Sequence, residues 1–260
     1  MVFAKEKHPV KEKAQPFVHR HANSNSIAIL IHGFTGSPYD MRELADFLHN
    51  QGVDVMAVRL AGHGTNIEDL MAMNYEDWVL SVDAVVREAE KESKRIFLIG
   101  YSFGANLALE LASRNPKRYD GIVCLGTSIY WQQRWYYFVL YHLFKLFGID
   151  KVRKPYVPKF QIESWESTGN YADFPTKGLG EFRDIVTKRT QDLLPRVTTP
   201  VLILHSRGDR ISHPKSSDYV FEHVNSQYKE MFVLPELNHN PLRSENKDRI
   251  FNRVARFIEA

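Results

Sequence analysis

The sequence predicts an α/β protein with a mainly parallel sheet flanked by helices, and two observations carry this. Short apolar runs of strand length alternate along the chain with segments of helical period. The runs are continuously aliphatic rather than alternating, as strands covered on both faces must be. Composition permits such a core, because 260 residues at 43% hydrophobic and 25% charged can fold without disulfide or metal staples.

Taken in order, residues 27–31 form the first aliphatic run, which stops at His32-Gly33. Ser37-Pro38 then supplies an N-cap and first helical position, with Met41, Leu44, Ala45 and Leu48 as the buried stripe and Gly52 as the stop. Residues 53–60 are the next strand, ending in Gly62-His63-Gly64. Asn74 caps a helix that carries Trp78, Val82, Val85, Val86 and Ala89 on one face. Strands follow at 95–99, 121–125, 201–204 and 231–234, with a helix beginning near Ser102 after the first of them. A last helix, expected to be capped by Ser244, carries Ile250, Val254, Phe257 and Ile258. From 128 to 194 this rhythm breaks: there is no convincing strand, and the segment opens on an aromatic run. It reads as an insertion placed over the sheet, dividing the chain into a core of 1–127 and 195–260 and an inserted unit of 128–194.

Several function classes fall away on composition. A single cysteine, Cys124, can form neither an internal disulfide nor a cysteine zinc site, so a reducing compartment is the default. It lies in an aliphatic strand and reads as an inert buried thiol. A net charge of +3 gives no nucleic-acid footprint. The first fourteen residues have no apolar core or small-residue cleavage site and read as a solvated lead-in. No stretch approaches the roughly 20 apolar residues of a membrane span. A cytoplasmic location is expected, and nothing in the sequence fixes an oligomeric state.

Chemistry is concentrated at Gly100-Tyr101-Ser102-Phe103-Gly104, a G-x-S-x-G motif between a strand and a helical pattern. The sharp turn strains the serine backbone, so residues two positions away must lack side chains. A serine hydroxyl is a poor nucleophile unless a base is in reach, and the base needs a carboxylate to fix its tautomer. With the chain order serine, acid, histidine, the acid is Asp209, just past the 201–204 strand, and the base is His239, past the last strand. Asp218 and His223 compete but lie in a helix-like stretch. His205 sits at a strand end and could line the site, although a satisfied structural histidine is preferred. His32, His63, His205 and His239 lack the spacing of ligands on one element, so no metal is expected. Backbone donors for an oxyanion are expected at the Phe103 N–H and, from the loop after the first strand, at the Phe34 N–H.

These residues resemble the α/β-hydrolases, and within them the small bacterial carboxylesterases and monoacylglycerol lipases. The likeness runs over residues 27–46, with Ile-His-Gly-Phe-Thr-Gly-Ser-Pro at 31–38, then Gly62-His63-Gly64, Glu76-Asp77-Trp78, the Ser102 motif, Asp209-Arg210-Ile211 and His239. The resemblance implies an α/β-hydrolase fold, Ser102, Asp209 and His239 as the catalytic triad, Phe34 and Phe103 as the oxyanion pair, no cofactor, and a mostly helical cap or lid at 128–194. Two departures are Asn238, where relatives commonly have glycine, and Ala105, where they often have another. Neither removes a catalytic group.

The expected activity is a serine hydrolase cleaving carboxylic esters through an acyl-enzyme, with a medium-chain monoacylglycerol or similar lipid ester preferred. Thioesterase, C–C bond hydrolase or acyltransferase chemistry, or a non-catalytic ligand-binding relative, are the alternatives. Nine aromatics fall in the eighteen positions from 130 to 147, and this points to an apolar ceiling over an acyl group, with Trp131, Trp135, Tyr136 and Phe138 as substrate contacts. Packing of cap on core would use the same residues. Aromatic and basic residues together also suit a lipid surface, so peripheral membrane contact through this segment is a further expectation.

Overall fold

The computed structural model describes residues 4–92, 94–132, 143–144, 146–154, 157–176, 182, 185–235 and 239–260. Seven strands form one sheet in the order β1 (Phe17–His19), β3 (Asp54–Val58), β2 (Ser26–Ile31), β4 (Arg95–Tyr101), β5 (Gly121–Leu125), β8 (Val201–Ser206) and β9 (Lys229–Leu234). Only β1 runs antiparallel, against β3; the other pairings are parallel. The larger helices are α1 (Arg42–Asn50), α3 (Tyr75–Glu90), α4 (Phe103–Arg114), α7 (Lys215–His223) and α8 (Lys247–Glu259). Shorter ones are α2 (Ile67–Ala72), α5 (Ile162–Ser167) and α6 (Thr190–Leu193).

Strand β2 explains why the runs are aliphatic throughout. Ile27, Ile29 and Ile31 share a packed layer with Trp78, Val82 and Val86 of α3 and Leu107 and Leu111 of α4. Ala28 and Leu30 face the other way, into a layer with Leu44 and Leu48 of α1 and Ile250 and Val254 of α8. A polar side chain at any of these positions would be buried without a partner. Asn74 caps α3 as its spacing predicts: its side chain accepts from the Asp77 N–H at 3.1 Å, and Asp77 Oδ2 accepts from the Asn74 N–H at 2.8 Å.

The structure corrects several expectations. The last helix begins at Lys247 with Asn246 at its N-cap, and Ser244 instead closes a 3₁₀ turn over Pro241–Arg243. Strand β9 begins two residues earlier than 231 because, as the sheet edge, it carries half-exposed residues that blur its pattern. Strand β1 has only three residues, too few for a readable pattern. The 128–194 segment does contain strands: β6 (Lys151–Arg153) and β7 (Asp173–Pro175) pair antiparallel. From residue 4 on, the start of the chain is mostly exposed, as a lead-in would be, but it is also tied to the core. Glu6 forms a fully buried ion pair with Arg59 and accepts from the Gly62 N–H, while Asp69 accepts from the Lys7 and His8 amides. Among the described residues no helix is long and apolar enough to cross a membrane.

Candidate active site

Three strand ends build the site. Ser102 sits between the end of β4 and the start of α4 with φ 52° and ψ −118°, a positive-φ conformation that a residue with a side chain rarely adopts. Its amide donates to the Leu125 carbonyl at 2.7 Å, which ties the turn to β5. Asp209 follows β8, and its Oδ1 accepts from the amides of Ile211 and Ser212 at 2.8 and 2.9 Å. His239 follows β9. Its Nδ1 lies 2.7 Å from Asp209 Oδ2, and its Nε2 lies 2.9 Å from Ser102 Oγ. An imidazole held between a carboxylate and a hydroxyl in this way can take the hydroxyl proton as the oxygen attacks an electrophile.

Burial pushes the Asp209 pKa up, but hydrogen bonds from His205, His239 and the Ile211 amide outweigh it and hold the carboxyl well below the usual carboxylate range. Asp209 is therefore an anion. His205 is a structural histidine in direct touch with the site: Nε2 is 3.2 Å from Asp209 Oδ2, and Nδ1 is 2.6 Å from Ser217 Oγ. Asp218 and His223 lie on α7 away from these groups, with His223 bonded to the Tyr219 carbonyl and stacked on its ring.

The loop after β2 meets the serine turn closely, since a Cβ on Gly33 would lie 3.4 Å from Ser102 Cβ. Two buried histidines support this loop. His32 Nδ1 donates to the Gly33 carbonyl and Nε2 accepts from the Leu60 amide. His63 Nδ1 donates to the Ala61 carbonyl and Nε2 accepts from the Thr35 amide at 3.1 Å. All four ring nitrogens are thus engaged by the chain. Burial lowers the His32 pKa to about 4, against the Gly33 hydrogen bond and with help from Arg59. His63 is lowered well below its ordinary value by burial and by His32.

An acid sensitivity follows. Between about pH 6.5 and 4 the unfolded chain binds a proton at His32 that the folded chain does not, so stability falls as pH falls, by up to about 3 kcal/mol. In urea titrations the stability advantage of wild type over His32→Asn is expected to shrink between pH 7.5 and 5. An advantage that stays constant over that range excludes the linkage.

An apolar wall stands beside the serine. Phe34 stacks on Phe182 with centroids 4.2 Å apart and meets Phe103 and Trp78 edge-on at 5.8 and 5.6 Å. Trp131 packs on Phe182 at 5.5 Å and bridges Ser212, and the neighbouring Gln132 side chain donates to the Asp209 carbonyl. Trp135, Tyr136, Phe138 and Asn238 lie outside the described residues. Phe182 had no signal in the sequence, being a lone aromatic in an unpatterned stretch. Cys124 is buried, and burial pushes its thiol up to about 12, so it is a packing residue.

Comparison with known proteins shows the family. The family described as Serine aminopeptidase, S33 (Hydrolase_4) matches residues 22–246. The chain is 29% identical over 261 residues to the thermostable monoacylglycerol lipase of Bacillus sp. (strain H-257), covering 97% of each. It is 23% identical over 246 residues to a carboxylesterase of Bacillus subtilis (strain 168), covering 94% of this chain and 96% of that one. Among solved structures it superposes at a TM-score of 0.83 and 26% identity on one described under LipS and LipT, two metagenome-derived lipolytic enzymes, covering 96% and 99% of the chains. A monoglyceride lipase from Saccharomyces cerevisiae shares the fold at a TM-score of 0.78 and 17% identity, covering 94% of this chain and 90% of that one. The chain belongs to the serine aminopeptidase S33 (Hydrolase_4) family, and it is an α/β-hydrolase of the carboxylesterase and monoacylglycerol lipase type.

Proposed function

We propose that the chain cleaves carboxylic esters through an acyl-enzyme on Ser102, with medium-chain monoacylglycerols or similar lipid esters as preferred substrates. The observation that carries this reading is the position of His239, within hydrogen-bond distance of both Ser102 Oγ and Asp209 Oδ2. Ser102 attacks the ester carbonyl as His239 takes its proton, and the amides of Phe34 and Phe103 receive the oxyanion. Collapse of the tetrahedral intermediate breaks the C–O bond, and His239 returns the proton to the leaving alcohol. Water, deprotonated by the same imidazole, then attacks the acyl-enzyme and frees the acid. Asp209 orients His239 and stabilises its charged form.

The preference for a lipid ester is supported by the wall of Phe34, Phe103, Trp131 and Phe182 and by the 97% two-way coverage with a monoacylglycerol lipase. The segment 128–194 is read as a cap over the acyl group. Leu146, Phe147 and Phe160 of that segment are 77%, 71% and 84% exposed, and Lys151 and Lys159 follow Phe147 and precede Phe160 closely in the sequence, a pairing that suits a lipid surface.

A fluorophosphonate probe is expected to label the wild type and not Ser102→Ala. In a panel of esters, thioesters and aminoacyl arylamides, octanoyl and lauroyl glycerol should give the highest kcat/KM. Equal or better turnover of acetate or aromatic esters rejects the lipid preference, and labelling retained in Ser102→Ala rejects the nucleophile.

A further inference from the structure

Lys154 is a buried cation that the steps above do not use. It lies just past β6, is 3% exposed, and its Nζ donates at 2.6 Å both to Thr35 Oγ1 and to the Tyr171 carbonyl. A lysine is almost never fully buried without a partner, because its charge loses hydration. Here burial lowers its pKa to about 7, resisted by the nearby carboxylates Asp40 and Asp173. The Phe174 ring lies 4.8 Å from the ammonium.

Its target is unusual too. Thr35 has φ 61°, one of two positive-φ residues other than glycine among the described residues, the second being Ser102. A β-branched residue rarely adopts this conformation and holds it only where the surroundings over-determine it. The surroundings do so at every polar atom of Thr35. Its amide donates to His63 Nε2, its carbonyl accepts from the Tyr171 amide at 2.9 Å, and its hydroxyl accepts from Lys154 and donates to the Phe34 carbonyl at 2.5 Å. Two of these restraints, Lys154 and Tyr171, come from the 128–194 segment. Residue 34, whose amide the reading above assigns to the oxyanion, is the immediate neighbour of this pinned residue.

We propose that Lys154 is a positioning residue for the oxyanion site: its hydrogen bond to Thr35 Oγ1 holds the Gly33–Thr35 loop in the conformation that aims the Phe34 N–H at the substrate. The segment above the sheet and the loop beneath it then act as one unit. This rests on the serine hydrolase reading given above. A donor displaced by a fraction of an ångström acts on the transition state, where the oxyanion forms, and hardly on the ground-state ester.

The test compares Lys154→Met, Thr35→Ala and the double variant with wild type on p-nitrophenyl butyrate, alongside an alkyl trifluoromethyl ketone whose tetrahedral adduct places an oxyanion in the site. Each single variant is expected to lose about 10- to 100-fold in kcat with KM within about 3-fold, since small misplacements of catalytic groups have effects of this order. Affinity for the ketone should fall by the same factor. The double variant should lose no more than the worse single one, as two members of one contact do. A folded Lys154→Met with kcat within 2-fold of wild type overturns the proposal. A loss confined to KM, or fully multiplicative losses in the double variant, overturns it as well. Should Lys154→Met fail to fold, Thr35→Ala decides alone, the kcat loss upholding the proposal and an unchanged kcat overturning it. Fluorophosphonate labelling separates the two readings: an unlabelled wild type removes the serine hydrolase reading and this one with it. A labelled wild type beside a fully active Lys154→Met removes only the role of Lys154.

Discussion

Asp209→Asn is expected to lower kcat by about four orders of magnitude while the protein stays folded. The argument is one of tautomers. Asp209 Oδ1 accepts from the Ile211 and Ser212 amides, so an asparagine must keep its carbonyl oxygen there; the reverse orientation would set its NH₂ against two donors. The NH₂ then replaces Oδ2 and faces His239 Nδ1, which must become an acceptor. The imidazole proton moves to Nε2, toward Ser102 Oγ, and the ring can no longer take the serine proton. The same NH₂ faces His205 Nε2, which keeps its proton for the Ser212 carbonyl 3.2 Å away, so the change leaves this one donor contact unmatched, at a cost of about 1–3 kcal/mol. Steady-state turnover of p-nitrophenyl butyrate, with a urea midpoint on the same sample, checks both parts. A variant within 100-fold of wild type removes Asp209 from the reaction.

Gly104→Ala is expected to abolish folding, although alanine is the better helix former by nearly 1 kcal/mol. A Cβ at position 104 would lie 2.1 Å from the Ile31 carbonyl oxygen and 2.8 Å from that of His32, and both are backbone atoms of β2 and the loop it feeds. Neither can withdraw without breaking the β2 pairings to β3 and β4. An overlap of this depth between packed elements falls in the rare class of substitutions that cost more than about 4 kcal/mol, a large part of a domain's stability. Gly148→Ala is the control. It replaces a glycine at positive φ, 65°, where position 104 is helical, but its Cβ meets nothing within 4 Å, so its cost is the conformational one of about 1–2 kcal/mol. Soluble yield and urea midpoints of the two variants settle the comparison. Gly104→Ala unfolding within about 1 kcal/mol of wild type would mean that the helix does not approach β2 so closely.

Much of the core was legible because burial on both faces leaves a mark in every residue of a strand. All of β2 and β5 is buried, and 27–31 and 121–125 read as runs without a polar residue. Where an element is short or half-exposed the mark fades. Strand β1, with three residues at the sheet edge, and the ribbon of β6 and β7, with β6 exposed at both ends, carry no period to read. Ser244 was a sound capping residue on local grounds, yet the chain makes a 3₁₀ turn first and starts the helix three residues later.

At the site the division is similar. The sequence by itself determined the residue types and their order: a serine in a glycine-flanked turn, an acid and a histidine after late strands, and the His32-Gly33-Phe34 loop after the first. Their spacing of 107 and 30 residues says nothing of distance, since only a parallel sheet brings the carboxyl ends of β4, β8 and β9 to one edge. The tertiary structure alone decided the partners that have no sequence pattern. His205 reaches Asp209, Phe182 closes on Phe34 across 148 residues, and Lys154 reaches Thr35 across 119. The physical reason is that a motif records constraints local to the chain, whereas burial and hydrogen-bond satisfaction are met by whichever residue the packing delivers.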